Sequence, residues 1–376
     1  MTPAPIDLPA LGETIVFAVG WMAGWLGLAR PRRLLKDEGA AAARDAGGPD
    51  RPRVTVVVPA RDEAASLART LPSLAASLAP GDELLVVDDG STDATAQVAG
   101  DAGVRVEPAG PLPDGWRGKP HACAVGAARA GGEVLVFVDA DTRVSARALD
   151  ALAVRVRRDP ETLVSLQPRH EAGGLAEHAQ LLPSLVSVMA AGAGLAGRAS
   201  RPLVFGPVVA VDRGRYLAHG GHAHGAVRGA VAEDVALGRA WDGPVASFVA
   251  RDGEASYRMY AAGAGARGAR ASLAAAWRGW TKNLAVGLGA APGLPTACAV
   301  AWVASIAGAL VTSPWLALAS AVQVAWLVRR AGAFPVWTAL ALPLHAAWFV
   351  ALVTRSAWLR ATGGSVDWRG RAVRVR

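Results

Sequence analysis

Three short apolar runs stand out in the first half of the chain, at residues 54–58, 83–87 and 134–138. They are rich in β-branched side chains and do not alternate with polar residues. Such runs are typical of strands in a sheet that is covered on both faces. The pattern therefore predicts three buried strands.

Helical patterns separate these runs. Four leucines recur at helical spacing, namely Leu67, Leu71, Leu74 and Leu78. An Ala-rich segment over 119–130 predicts another helix, and Asp93 is placed to cap the helix after the second strand. Alternating strands and helices predict an α/β domain with a mainly parallel sheet, in which ligands bind at the carboxyl ends of the strands.

The second half of the chain contains two long uncharged stretches. No charged residue lies between Lys282 and Arg329, and a second uncharged stretch covers 331–354. Because a bilayer crossing needs about 20 apolar residues, the first stretch predicts two crossings with a turn near 312–314, and the second predicts one. A weaker candidate covers 8–29 and is interrupted by Glu13.

Positive charges follow the N-terminal apolar segment: Arg30, Arg32, Arg33 and Lys36. Their position after the segment favours a retained membrane helix over a cleaved signal peptide. By the positive-inside rule they predict a multi-pass protein of the cell membrane with its α/β domain in the cytoplasm. The arginines of the C-terminal tail prefer the same side, so the number of crossings stays open. The apolar stretch 181–197 predicts a buried or interfacial helix.

These patterns divide the chain into five parts. They are an N-terminal transmembrane anchor (1–36), a linker (37–52), the α/β domain (53–282), a C-terminal transmembrane region (283–354) and a basic tail (355–376).

Composition narrows the classes of protein. Of the 376 residues 52% are hydrophobic and 19% charged, which excludes a disordered chain and a disulfide-stapled mini-protein. The two cysteines, Cys123 and Cys298, argue against a disulfide framework and fit a reducing compartment. The net charge of +8 suggests nucleic acid, anionic lipid or a phosphate-bearing substrate. Because the arginines cluster beside apolar segments and not along one aromatic-studded face, we expect no nucleic-acid partner.

Carboxylates follow all three predicted strands, within 59–63, 88–93 and 139–141. An acidic loop after a single strand is usually a helix cap or a solvated turn. Three such loops at one edge of a sheet repel one another unless a cation compensates. In extended chain Asp139 and Asp141 point to the same side, so they are able to face one Mg²⁺ or Mn²⁺ ion. Such an ion neutralises charge on a departing nucleoside diphosphate.

Other polar residues near these loops suit a nucleotide. Asp88 or Asp89 could accept hydrogen bonds from a base or ribose, and Arg117 and Lys119 could meet phosphate charge. The alternative for the last two is an ordinary basic loop.

The order of these motifs resembles that of inverting family-2 glycosyltransferases with a GT-A fold. The matching motifs are Val-Val-Pro-Ala-Arg-Asp-Glu (57–63), Val-Val-Asp-Asp-Gly-Ser-Thr-Asp (86–93), Asp-Ala-Asp (139–141) and Glu-Asp (233–234). The stretches 115–122, 220–237, 279–283 and 368–371 are similar to one branch, which holds diaponeurosporenoate (carotenoid acid) glycosyltransferase-like and hopanoid-associated enzymes.

The resemblance implies a set of site residues. Asp234 would be the catalytic base, with Glu233 beside it. The nucleotide-sugar site would comprise Pro59, Arg61, Glu63, Asp88, Asp89, Lys119 and Asp139. Asp139 and Asp141 would hold Mg²⁺ or Mn²⁺. Trp277, Arg278, Trp280 and Lys282 stand where related enzymes carry an Arg-Trp motif near the membrane, beside the acceptor.

The resemblance also implies the substrates and mechanism. The donor would be a nucleotide sugar, and a UDP-sugar is the favoured candidate. The acceptor would be a carotenoid, hopanoid or other lipid-like molecule, and membrane lipids would surround the protein. Asp234 would deprotonate the acceptor in a single displacement; its alternative role is a carboxylate at the N-terminus of a helix over 235–240. Because Gly279 separates Arg278 from Trp280, the Gln-x-x-Arg-Trp motif of polymerising synthases is absent, which favours transfer of a single sugar.

Other readings stay open. One is transfer to a polyprenyl phosphate, and another is an inactive GT-A-like membrane scaffold. His219, His222 and His224 could also form a zinc site, although a Gly/Ala-rich loop and the lack of an obvious fourth ligand fit that poorly.

Overall fold

The structure is a computed structural model that describes residues 8–36, 51–195, 202–261, 265–287, 293–368 and 371–374. In chain order the strands are β1 Val54–Ala60, β2 Glu83–Asp88, β3 Arg105–Pro108, β4 Val134–Val138, β5 Thr142–Val144, β6 Leu163–Gln167, β7 Arg169–Glu171, β8 Val208–Asp212, β9 Val245–Val249, β10 Ala255–Tyr257, β11 Gly332–Ala333, β12 Ser365–Trp368 and β13 Arg371–Arg374.

The helices, numbered in the same way, are α1 Leu8–Leu28, α2 Ala64–Ala75, α3 Thr95–Asp101, α4 Gly118–Arg129, α5 Ala146–Arg158, α6 Leu175–His178, α7 Leu181–Ala190, α8 Arg213–His219, α9 Glu233–Ala240, α10 Gly265–Gly287, α11 Gly293–Thr312, α12 Pro314–Ala331 and α13 Leu342–Thr362. Short 3-10 helices cover Gly221–Ala223 and Val336–Ala341.

The main sheet has seven strands in the order β3-β2-β1-β4-β8-β6-β9. Its pairs are parallel except those of β8, which runs antiparallel to both β4 and β6. In register, Val57 of β1 lies between Leu85 of β2 and Phe137 of β4. The three strands predicted from the apolar runs are therefore confirmed, as is the α/β class with a mainly parallel sheet.

Helices cover both faces of this sheet. On one face Leu67, Leu71 and Leu74 of α2 are buried, while Leu78 lies beyond the end of that helix. On the other face α4 buries Ala122, Cys123 and Ala127. The predicted helix over 119–130 is thus confirmed. A smaller sheet of β11-β7-β10-β5 flanks the main one, and β12 pairs with β13 as a hairpin.

The antiparallel β8 brings its own amino end to the edge where the parallel strands finish. Val208 pairs with Val138, and the Asp139 N–H donates to the Pro207 carbonyl over 3.0 Å. The segment that precedes β8 therefore joins the loops that follow β1, β2 and β4. This placement is the feature of the fold that matters most for the site.

The N-terminal helix packs into the same bundle as the C-terminal helices. A β-carbon at Gly24 of α1 would lie 2.5 Å from the ring of Trp302 on α11. The Gln323 side chain of α12 accepts from Trp302 Nε1 over 2.8 Å and donates to the Trp21 carbonyl over 2.6 Å. Small residues and a buried amide thus hold three helices together at close range.

Among the described residues, two helical segments are long and apolar enough to cross a membrane: Gly293–Thr312 and Val336–Thr362. In the most apolar stretch of each segment, only 33% of the residues are buried inside the protein. Gly12–Leu28 is a shorter apolar helix. The stretch predicted to cross twice forms α11 and α12 with a cap at Ser313. The second of these helices, α12, is not one of the two long apolar segments. Its last turn contains the charged residues Arg329 and Arg330.

Three predicted boundaries shift in the structure. Residues 37–50 of the expected linker lie outside the described residues, but Arg51 belongs to the folded domain, since it pairs with Asp82 at 2.8 Å and Asp150 at 2.7 Å. The boundary at 282/283 falls inside α10, and α13 continues into the expected tail as far as Thr362. The buried or interfacial helix predicted over 181–197 is confirmed only for Leu181–Ala190, which form the buried α7; residues 196–197 lie outside the described residues.

Candidate active site

One cavity of about 1150 Å³ lies at the carboxyl ends of β1, β2, β4 and β6 and extends between α7, α11 and α13. Twelve of the predicted site residues line it: Pro59, Arg61, Glu63, Asp89, Lys119, Asp139, Asp141, Glu233, Asp234, Arg278, Trp280 and Lys282. Arg117 lines it as well. Asp88 and Trp277 do not belong to the lining.

The loops after β1 and β2 are tied to each other by carboxylates. Asp62, in the left-handed region at φ 52°, accepts from the Thr92 N–H over 2.7 Å. Asp93 accepts from the Thr95 N–H over 2.9 Å and the Ala64 N–H over 3.1 Å. The prediction that Asp93 caps α3 is wrong, because the N-cap position is Ala94 and no side chain caps the helix. Asp62 and Asp93 instead shape the loops.

The two neighbouring aspartates of the second motif take different positions. The Asp88 carboxylate accepts from the Ser91 N–H at 3.2 Å and from the Ser91 hydroxyl, so it turns away from the cavity. Asp89 is buried, and its carboxylate lies 3.6 Å from the Arg61 guanidinium, which also donates to the Asp89 carbonyl over 3.2 Å. Asp89 is thus the member of the pair that faces the cavity.

Lys119 links the loop after β4 to α9. Its Nζ lies 2.7 Å from Asp139 Oδ1 and 2.6 Å from Glu233 Oε1. The start of α4, which contains Lys119, is also held to the segment before α9, because the Arg117 N–H donates to the Arg228 carbonyl over 2.8 Å. Partial burial disfavours the charge of Lys119, but Asp139, Glu233 and Asp234 outweigh it and raise its pKa well above the usual value. Lys119 was predicted to meet phosphate charge. In the structure its charge is also used to neutralise the carboxylates of Asp139 and Glu233.

The adjacent acids Glu233 and Asp234 have opposite electrostatic environments in the first turn of α9. Burial opposes the charge of Glu233, but Lys119 lowers its pKa below the ordinary value. Burial, followed by the neighbouring Glu233 charge, raises the pKa of Asp234 to about 6. The pair thus combines a fixed carboxylate with one that titrates near neutral pH, which is the tuning expected of a general base.

Gly206 makes the space in which Asp234 lies. A β-carbon at position 206 would be 2.7 Å from Asp234 Oδ2. Gly206 lies two residues before the amino end of β8, so the antiparallel strand brings it to the site. Sequence reasoning missed this residue, and no local signal marks it, since it depends on a non-local strand pairing.

Asp139 and Asp141 suit a metal ion whose remaining coordination positions are filled by the substrate. Within the parts of the chain that the structure describes, no group of three or more His, Cys, Asp or Glu side chains is arranged to hold a metal ion. Mg²⁺ and Mn²⁺ usually bind through one or two carboxylates together with water and substrate phosphates, not through an all-protein cage. Two carboxylates in the cavity lining therefore fit such an ion.

Beyond the acidic centre the cavity becomes apolar. Trp280 stands at this transition and donates from Nε1 to Gln180 Oε1 over 3.0 Å. Trp277, predicted to line the acceptor path, instead packs its ring edge-on against Trp348, with 5.2 Å between centroids. The apolar arm is lined by Val186 of α7, Ala299, Val303 and Ala307 of α11, and Phe349 and Val353 of α13.

The three histidines before α9 have structural partners. His222 is buried, with Nδ1 at 2.7 Å from the Tyr216 hydroxyl, and burial lowers its pKa to about 4. His219 Nε2 contacts the Ala240 carbonyl at 2.9 Å, and its ring stacks on that of His224. They contribute to no metal-binding group among the residues described.

The chain is similar to known proteins in sequence and in fold. Residues 55–185 match the family model described as glycosyl transferase family 2. A protein of Staphylococcus haemolyticus named 4,4′-diaponeurosporenoate glycosyltransferase is 32% identical over 243 residues, which cover 62% of this chain and 61% of that protein. A protein of the same name from Staphylococcus aureus is 31% identical over 63% of this chain and 62% of its own length. The chain thus spans about three fifths of the length of these curated relatives.

One solved structure resembles most of the chain in fold. It is the mannosyltransferase PcManGT from Pyrobaculum calidifontis in complex with GDP-Man and Mn²⁺, at a TM-score of 0.51 and 19% identity. The match covers 93% of this chain and 98% of that one. The likeness shows a shared GT-A fold that extends beyond the α/β domain.

Proposed function

Residues 55–185 match the model of glycosyl transferase family 2, and from that match we propose that the protein is a membrane-bound, inverting glycosyltransferase. It moves one sugar from a nucleotide-diphosphate sugar to a lipid-like acceptor of the carotenoid, hopanoid or other isoprenoid kind. The names of the curated relatives support a carotenoid acid as the first acceptor to test.

The continuity of the cavity carries this proposal. Its polar end contains Asp89, Asp139, Asp141 and Asp234, and the same cavity continues into the apolar arm between α7, α11 and α13. A water-soluble donor needs the first environment and a hydrocarbon chain needs the second. A single cavity that offers both brings the two substrates together without exposing the acceptor chain to water.

The donor is proposed to bind at the strand ends. Asp89 is placed to accept hydrogen bonds from the base or ribose, and Arg61 and Lys119 to meet phosphate. Asp139 and Asp141 would hold Mg²⁺ or Mn²⁺, whose charge stabilises the departing diphosphate. A UDP-sugar is the first candidate, and GDP-mannose, which the similar mannosyltransferase binds, is the second.

Asp234 is proposed to act on the acceptor. Its carboxylate takes the proton of an acceptor hydroxyl, and that oxygen bonds to the anomeric carbon as the bond to the nucleoside diphosphate breaks. Attack from the face opposite the leaving group inverts the anomeric configuration. Where the acceptor is already a carboxylate, Asp234 orients it and little base catalysis is needed.

The helical bundle supports membrane attachment. Apart from Leu112 and Leu217, every exposed large apolar side chain in the described chain lies on α1, α11, α12, α13 or the 3-10 helix before α13. A continuous apolar surface of that extent needs a partner, and lipid hydrocarbon is the partner we propose.

Basic residues mark the domain side of this bundle. The Arg33 guanidinium donates to the Ala250 carbonyl over 2.7 Å and to the Arg330 carbonyl over 2.6 Å, so the ends of α1, β9 and α12 meet there. Arg30 and Arg329 are exposed in the same region. By the positive-inside rule we propose that this side, with the catalytic domain, faces the cytoplasm.

The test is transfer by the purified protein in lipid vesicles. UDP-glucose, UDP-N-acetylglucosamine and GDP-mannose are supplied in turn with Mn²⁺, beside vesicles that contain a carotenoid acid, a hopanol or a polyprenyl phosphate. Mass spectrometry follows sugar that enters the organic phase. Transfer to a carotenoid acid or hopanol supports the proposal, whereas transfer to polyprenyl phosphate alone favours the alternative acceptor. Neither transfer nor donor binding would support an inactive scaffold.

A further inference from the structure

Two large apolar residues of the cavity lining are also exposed on the outer surface of the bundle. Val300 of α11 is 63% exposed and Val350 of α13 is 51% exposed, and both line the cavity. Most of the apolar arm is more enclosed: Ala299 is buried on α11, and Phe349 is buried on α13. The apolar arm therefore opens sideways between these two helices, at a site that we call the lateral opening, Val300 with Val350.

The surface around the lateral opening is free of charge. Neither Gly293–Thr312 nor the segment 336–354 contains Asp, Glu, Lys or Arg. Leu294, Val311 and Leu344 are exposed on the same two helices. The lateral opening thus lies within the apolar surface that we propose is covered by lipid hydrocarbon.

The lining of the arm suits a hydrocarbon chain. Small side chains of α11, among them Ala299 and Ala307, line it together with Phe349 and Val353 of α13. The same cavity contains Trp280 and the carboxylates of the catalytic end. Apolar atoms placed there exchange one hydrocarbon environment for another, so leaving the bilayer costs little.

From this arrangement we propose that the acceptor reaches the active site laterally from the bilayer, with its apolar chain passing between Val300 and Val350. This inference rests on the proposed function, because it names the route to that same site. It goes further in assigning α11 and α13 as the two sides of the passage. An acceptor that arrived from water would have to pass the polar end, where the donor binds.

The test uses a photoactivatable sixteen-carbon fatty acid in phosphatidylcholine and phosphatidylglycerol vesicles. On irradiation the wild type should be labelled on α11 and α13. Val300→Trp and Val350→Trp place an indole in the lateral opening and should reduce this labelling about tenfold. Val322→Trp is the matched control, since Val322 of α12 is also 63% exposed but does not line the cavity. Labelling in Val322→Trp should equal that of the wild type.

A second variant set separates blockage from misfolding. In a Cys298→Ser background, Val300→Cys or Val350→Cys is folded first and then modified with a bulky thiol reagent, with Val322→Cys as control. Loss of labelling only after modification at 300 or 350 supports the proposal. Equal labelling before and after modification at both positions overturns it.

The test distinguishes failure of the lateral route from failure of the proposed function. Donor binding, measured with UDP in the same vesicles, should be unchanged in every variant. If sugar transfer fails in the wild type while labelling still follows the pattern above, the lateral route stands and the proposed activity fails. If transfer occurs and the two Trp variants are labelled and transfer like the wild type, the route is wrong and the activity stands.

Discussion

Gly206 and Asp234 are in direct contact: a β-carbon on Gly206 would lie 2.7 Å from Asp234 Oδ2. The contact joins the segment before β8 to the first turn of α9. It means that the position of the Asp234 carboxylate depends on the absence of a side chain elsewhere in the chain.

We expect Gly206→Ala to reduce sugar transfer strongly while the protein stays folded. The added methyl group displaces the Asp234 carboxylate, and a misplacement of about 1 Å is able to cost about 100-fold in rate. Gly308→Ala on α11 is the control, because a β-carbon there meets nothing within 4 Å. Transfer rates and thermal unfolding of both variants check this, and equal rates would contradict it.

The pH dependence of transfer should follow Asp234. Because its pKa is raised to about 6 and its deprotonated form is the proposed base, the rate should rise with pH through about 6 and then level off. Below that value it should fall about tenfold per pH unit. The measurement is the initial rate with a hydroxyl acceptor across pH 5 to 8, and a flat profile would be inconsistent with a base of this kind.

Two neighbours should move that midpoint in opposite directions. Glu233 raises the pKa of Asp234, so Glu233→Gln should shift the profile to lower pH. Lys119 lowers it, so Lys119→Gln should shift the profile to higher pH. The midpoint is the informative quantity, because a loss of folded protein lowers the amplitude without moving it. Shifts in the same direction would contradict this account of the pair.

Removal of the metal should abolish transfer. EDTA should reduce the rate to background and excess Mn²⁺ or Mg²⁺ should restore it, because Asp139 and Asp141 are proposed to hold an ion that would neutralise the diphosphate. Asp141→Asn should weaken metal-dependent donor binding, measured by titration calorimetry with UDP. Asp114→Asn serves as control, since Asp114 is exposed and outside the cavity. Full activity in EDTA would rule out this role.

The close contact between α1 and α11 gives a prediction on stability. Gly24→Val would place side-chain atoms against the Trp302 ring, 2.5 Å from the first added carbon. Overpacking of this kind costs about 1–3 kcal/mol, so the thermal midpoint in detergent should fall. Gly12→Val on the same helix should leave it unchanged, because a β-carbon there meets nothing within 4 Å.

Local patterns predicted three of the strands that pair in parallel, but not β3, β6 or β9. The strands β1, β2 and β4 were predictable because each is a short β-branched run, and α4 because its Ala-rich sequence follows a Gly/Pro loop. The antiparallel β8 was not, since its pairing with β4 joins segments far apart in sequence. Gly206 was missed for the same reason.

The site was predictable in its residue types but not in their contacts. Motif spacing identified the acidic residues, yet it gave no sign that Lys119 bridges Asp139 and Glu233, or that Asp88 turns to Ser91. The apolar arm could not be predicted either, because α7, α11 and α13 contribute to it from three segments that are distant in sequence. Trp277 shows the limit of spacing alone: it lies within the expected motif but packs on Trp348.

The proposed role of Asp234 as the base in sugar transfer is tested most directly by comparing the transfer rates of the wild type and Asp234→Asn in the same vesicles. Donor binding is measured in the same samples. With a hydroxyl acceptor the variant should lose about 10²- to 10⁴-fold in transfer rate, which is the usual contribution of a general base, and should bind donor as tightly as the wild type. With a carboxylate acceptor the loss should be smaller. Wild-type transfer rates in Asp234→Asn with both acceptors would contradict the account.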